Sequence, residues 1–196
     1  IGWERPILQT DIELPNGSLL HVLNVHFKSK RPTPIAGRKV DRFTWSSSAA
    51  WAEGFFMSSM KRVGQAIEAR FVIDKIMDAD PGARVVICGD FNAEAHEVPV
   101  QAVCSCVQNT GNPGLGDRVM IPAENTIPES ARFSFRHHGN DRLFDHVLIS
   151  RSLLQFYRGT EIHNEVLPDE SIAFATDTKF PESDHAPIVA EFEVGE

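Results

Sequence analysis

The order of apolar segments between Leu19 and Cys88 constrains the fold of this chain more than any other feature. Leu19 to Phe27 is an apolar run of strand length, Arg84 to Cys88 is another, and a long helical pattern lies between them. Within Trp51 to Met77, Phe56, Met60, Val63, Ile67 and Phe71 recur at spacings of four and three, separated by Arg62, Gln65, Glu68 and Arg70. This stripe is expected to face the core. Proline and glycine in Asp80-Pro81-Gly82 forbid continuation of the helix. Strand, helix, strand in that order implies a parallel crossover and an α/β domain.

Ahead of this unit, Leu8, Ile12 and Leu14 alternate with Gln9, Asp11 and Glu13, and Asn16-Gly17 separates them from the next strand. A β-hairpin is expected. The period of two puts Leu20, Val22, Asn24 and His26 on one face, with His26 at the strand end. Further strands are expected at Arg132 to Arg136, Leu143 to Ser150 and Ile188 to Val194, and Asn109 to Glu129 reads as a long loop. Trp45, Trp51, Phe55 and Phe56, at the start of the helix, read as core. With no repeat or linker, residues 1–196 are expected to form a single domain.

No apolar run approaches the roughly 18 to 20 residues that span a bilayer. Ile1-Gly2-Trp3-Glu4-Arg5 lacks the basic start and apolar stretch of a signal peptide, so an N-terminal portion is expected to be missing. Cys88, Cys104 and Cys106 are too few for a disulfide scaffold, which suits a reducing, cytoplasmic setting. Cys104 and Cys106 have no second Cys/His pair at zinc-site spacing and read as small buried residues. The adjacent His137 and His138 read as loop residues, because neighbours on an extended segment point to opposite faces. A net charge of −8 disfavours indiscriminate adhesion to polyanions. Against that average, Lys28, Lys30, Arg31, Arg38, Lys39 and Arg42 cluster around the single acid Asp41.

Four polar clusters stand at the ends of apolar strands, where a sheet holds side chains rigidly at a loop. They are Asn24-Val25-His26-Phe27-Lys28-Ser29, Gly89-Asp90-Phe91-Asn92, Leu143-Phe144-Asp145-His146-Val147-Leu148 and Ser183-Asp184-His185-Ala186-Pro187. In order and approximate spacing they resemble the last four motifs of the endonuclease/exonuclease/phosphatase superfamily. The resemblance covers the chain from the first hairpin onward.

It implies two mostly antiparallel β-sheets packed as a sandwich flanked by helices, the deoxyribonuclease-like four-layer fold, here as its C-terminal portion. It also implies divalent-metal-dependent hydrolysis of phosphodiesters by a nuclease acting on nucleic acid. His185 would be the general base or hold the phosphate, with Asp145 its orienting partner; Asp184 would hold Mg²⁺ or Mn²⁺, and Asp90 would orient the attacking water or assist a second metal. Asn92 and His26 would donate to the phosphate, and Lys28 would hold a neighbouring anionic group. The family's earlier motifs, an Asn and a metal-binding Glu, have no counterpart, since Glu4 and Glu13 are poorly placed. An uncovered apolar face is therefore expected, met by the missing N-terminal segment or a second chain. The rival readings are a lipid or inositol phosphate hydrolase of the same fold and a non-catalytic binding module.

Overall fold

The helical segment and its flanking strands form the expected crossover, and the rest of the chain is built around it. The computed structural model describes residues 3–176 and 183–194. Ile1 and Gly2, on which the expectation about the chain's start rests, lie outside them. In chain order the elements are β1 (Leu8–Glu13), β2 (Leu19–His26), α1 (Ser48–Ala79), β3 (Arg84–Asp90), α2 (Val98–Cys104), α3 (Val107–Thr110), β4 (Met120–Pro122), β5 (Phe135–His137), β6 (Asn140–Arg142), β7 (Asp145–Ser150), β8 (Tyr157–Ile162), α4 (Glu170–Ala175) and β9 (Ile188–Phe192).

Five strands form one sheet in the order β1-β2-β3-β7-β4. β2 and β3 are parallel, joined by α1, and the other pairings are antiparallel. One face of this sheet packs Leu23, Val25, Val85 and Ile87 against Ala66, Ala69, Ile73 and Met77 of α1. The opposite face packs Val86, Val147 and Ile149 against Ile188, Ala190 and Phe192 of β9 in the antiparallel β8–β9 pair. Helix, sheet and second sheet are thus layered as the α/β sandwich the motifs imply.

α1 corrects the expected orientation. Its buried face carries small and polar residues, including Ala66, Ala69, Arg62 and Arg70, while Phe56, Met60, Ile67 and Phe71 face outward. Large side chains on β2 and β3 fill the interface, so alanines let the helix approach closely. The buried arginines donate to backbone carbonyls, Arg62 to Lys28 and Ser29 and Arg70 to Val103 and Arg118, and Arg70 also donates to the Asp74 carboxylate. Trp51, Phe55 and Phe56 are exposed rather than core, and Trp45 is half-buried.

The stretch read as a long loop holds α3, short 3₁₀ turns and β4, and delivers the buried Glu124. β5 begins at Phe135, later than expected, and pairs with β6 rather than joining a larger sheet. The cysteines are free thiols; Cys104 is buried, while Cys88 and Cys106 are partly exposed. Among the described residues, no helix is long and apolar enough to cross a membrane.

Candidate active site

Strand register assembles the site. His26 pairs with Asp90 across β2 and β3, and Asp90 pairs with Asp145 across β3 and β7. Because β2 and β3 run together and β7 runs against them, two strand ends and one strand start share a single sheet edge. Three side chains scattered through the sequence therefore stand in one row. His26 Nε2 lies 3.2 Å from Asp90 Oδ2. The close approach of β2 and β3 here depends on Gly89: at φ +130°, a Cβ would stand 2.0 Å from the Val25 carbonyl oxygen.

His185 joins the row through backbone bridging to Phe135 and the bond from Ala186 N–H to the Ser134 carbonyl. Its Nδ1 sits 2.6 Å from Asp145 Oδ2, and Ser134 Oγ donates to the same oxygen at 2.6 Å. Nδ1 is thereby fixed as the protonated nitrogen, leaving Nε2 without a protein partner among the described residues. Burial of the ring pushes its pKa down, but the hydrogen bond and charge of Asp145, aided by Asp90 and Asp184, outweigh this and raise it. His26 is shifted the other way, by burial and then by Arg5 and His185.

Asp90 is pushed up to about 6, first by burial and then by the charge of Asp145, against the Asn92 N–H, His185 and Arg5. Asn92, held at φ 48°, donates its backbone N–H to Asp90 Oδ1 at 2.7 Å. Its side-chain amide donates to Asp90 Oδ2 and the Phe27 carbonyl. Its donors are thus spent on shaping the loop.

Beneath the row lies a pair that sequence reasoning missed. His146 is fully buried; Nδ1 meets Glu124 Oε1 at 2.5 Å and Nε2 meets the Ala93 carbonyl at 2.8 Å. Burial lowers the His146 pKa, but Glu124 and Ala93 reverse the sign and raise it. The pair ties the loop after β3 to β7. His146 stood inside a motif cluster, whereas Glu124 lay in an aperiodic segment and gave no signal.

The row opens into a cleft of about 920 Å³ lined by Arg5, Lys30, Arg31, Arg142, Phe135 and Phe144 among others. The Phe135 and Phe144 rings stack with centroids 5.4 Å apart, and Lys30 Nζ lies 4.8 Å above Phe144. His137 and His138 both line this cleft, contrary to the opposite-faces expectation, because His138 takes a left-handed turn at φ 50°. Lys28 does not line it; burial lowers its pKa, and its carbonyl accepts from Arg62. Asp184 lines the cleft from an exposed position on its lip. A second cavity, about 680 Å³ beside Gln9, His21, Val72 and Ile76, contains none of the motif residues.

Asp90, Asp145 and His185 each offer a ligand atom, all within 4.8 Å of one another. Two carboxylates converging in a half-buried place suit a hard divalent cation, which would offset both the burial and the Asp145 charge that raise the Asp90 pKa. Among the described residues no Glu joins this group.

Fold and site together define a deoxyribonuclease-like sandwich with a His–Asp row at its strand ends. The model described as the Endonuclease/Exonuclease/phosphatase family matches residues 42–184, and the chain belongs to that family. Among solved structures, truncated TDP2 from Caenorhabditis elegans is similar with TM-score 0.55 and 17% identity over 99% of this chain and 69% of that one. The 3′ phosphatase NExo from Neisseria, bound to product DNA hairpin, gives TM-score 0.51 and 20% identity over 89% of this chain and 62% of that one. Humanized TDP2 from D. rerio gives TM-score 0.53 and 17% identity, over 97% and 61%. The chain therefore spans less than two thirds of the length of the last two. No curated protein matches the chain at a significant level.

Proposed function

We propose that this cleft hydrolyses phosphoester bonds, with a nucleic-acid phosphodiester as substrate and Mg²⁺ or Mn²⁺ as cofactor. The observation that carries the reading is His185: Nδ1 is committed to Asp145 and Nε2 opens toward a cleft lined by both carboxylates and basic side chains. Such a ring can take a proton from water and keep the resulting charge, because Asp145 stabilises the imidazolium. Asp90, poised near neutrality, orients the same water, and His26 beside it donates to a phosphoryl oxygen. Asp90 would hold the cation beside Asp145, with Asp184 on the lip of the cleft as a further carboxylate, and the bound cation would supply positive charge to the phosphoryl oxygens.

Arg5, Lys30, Arg31 and Arg142 line the cleft together with the carboxylates of Asp90, Asp145 and Asp184, and Lys30, Arg31 and Arg142 are paired with Glu97, Glu170 and Glu94. The basic side chains suit a backbone of repeating phosphates, and the Phe135–Phe144 shelf suits the face of a base. The neighbour NExo was solved with a DNA hairpin, which agrees with this substrate class. The test is hydrolysis of bis-p-nitrophenyl phosphate and of single- and double-stranded DNA with Mg²⁺ or Mn²⁺, beside His185→Ala and Asp90→Ala. Metal-dependent cleavage lost in both variants is expected. Absence of cleavage of every substrate by the unaltered chain rejects the proposal.

A further inference from the structure

The outward face of α1 carries a pattern that the catalytic reading does not use. Phe56, Met60, Ile67 and Phe71 are 59%, 53%, 42% and 68% exposed, so the longest helix of the domain turns large apolar side chains to solvent. An exposed apolar stripe of this kind marks a contact surface. The segment that begins at Trp3 does not cover it: the Trp3 ring rides over Gly64 at the stripe's border and its Nε1 donates to Glu68, which leaves the four side chains open.

The spacing is symmetric. Phe56 and Met60 are four apart, Met60 and Ile67 seven, Ile67 and Phe71 four, so the stripe reads the same from either end about the Val63–Gly64 peptide. A second copy of α1 laid antiparallel across a two-fold axis there sets Phe56 of one protomer on Phe71 of its partner and Met60 on Ile67, twice over. That is the requirement of an isologous contact, in which one patch must complement itself. A parallel pairing would meet like with like only if the helices stayed in register along their length.

Antiparallel docking opposes the two helix dipoles. The same register sets Glu53 of one protomer toward Asp74 of its partner, and each carboxylate is already paired within its own chain, Glu53 with Arg38 and Asp74 with Arg70 and Arg118. The stripe is about 22 Å long at helical rise. Its four side chains offer about 400 Å² of apolar surface per copy, roughly half of what a standard interface buries on each partner, with the flanking residues left to supply the remainder.

We infer that α1 is a dimerisation helix and that its occupant is a second copy of this chain, docked antiparallel about Val63–Gly64. The inference does not depend on the proposed activity. It is tested by sedimentation equilibrium of the purified chain, the single variants Phe56→Glu and Phe71→Glu, and two double variants. The unaltered chain is expected to dimerise, and each single variant to weaken association about 100-fold with unchanged circular dichroism. Phe56→Glu with Phe71→Lys is expected to restore the dimer, since each Glu then faces a Lys, whereas Phe56→Glu with Phe71→Glu is not. A monomer at every concentration, a dimer indifferent to Phe71→Glu, no rescue by the opposite-charge double variant, or a monomer that instead pellets with lipid vesicles overturns the inference.

Discussion

Residues 145 and 146 are neighbours on one strand, and each takes part in a histidine–carboxylate pair, yet the two pairs have opposite roles. His146 has both ring nitrogens occupied, by Glu124 and the Ala93 carbonyl, in a place without solvent. His185 has one nitrogen held by Asp145 and the other facing the cleft. A ring with both nitrogens bonded cannot exchange a proton with a ligand without breaking its own support. The chemistry of a histidine is set less by its carboxylate partner than by the nitrogen left over.

The comparison can be broken most sharply at the open pair. His185→Ala is expected to lower the hydrolytic rate by about three to four orders of magnitude while leaving the unfolding midpoint nearly unchanged, read by steady-state kinetics beside thermal melting. At the closed pair the loss moves to stability: Glu124→Ala strands a buried imidazole and should cost about 3 kcal/mol or more in urea unfolding. Equal stability losses for the two variants would erase the distinction.

Asp90 sharpens the contrast through pH. Its folded pKa, about 6 against an ordinary 3.8, means that the folded chain holds this proton more tightly than the unfolded one. Its contribution is therefore most favourable below pH 4 and is lost as pH rises through about 6. Asp90→Asn should leave metal-free stability unchanged near pH 4 and raise it by up to about 2–3 kcal/mol at pH 7, while abolishing hydrolysis. Denaturation at the two pH values checks both signs. The smallest effect is expected at the rim, where Lys30 is paired with Glu97. Lys30→Ala should raise KM for an oligonucleotide about threefold to tenfold, with a shallower salt dependence, and leave bis-p-nitrophenyl phosphate unaffected.

Residues whose place follows from chain-local rules were legible. Asn16-Gly17 announced the hairpin, the apolar runs announced β2 and β3, and the strand-end clusters pointed to His26, Asp90, Asp145 and His185. Register, which sets the first three in one row, is a property of pairing between strands and is not written in any one of them. The face of α1 was misread because period reveals a stripe without saying which stripe is buried. Here alanines and two arginines lie against the sheet and the aromatic stripe does not. Glu124 and the short β4 beside it could not be found by period, since one buried carboxylate in an aperiodic segment is specified only by the partner it meets.

The arrival of His185 from a distant segment also gives the site a timetable. β2, β3, β7 and the His146–Glu124 pair all lie ahead of His185 in the chain and are synthesised before it. His185 is then held by Ala186 on Ser134 and, just beyond, by His163 on Pro187 at the start of the β8–β9 ladder. Because residues leave the ribosome in chain order, the cleft stays without His185 until the segment before β9 has been made. For an enzyme of the proposed activity, synthesis on a particle that is itself largely nucleic acid is thereby separated in time from the power to cut it.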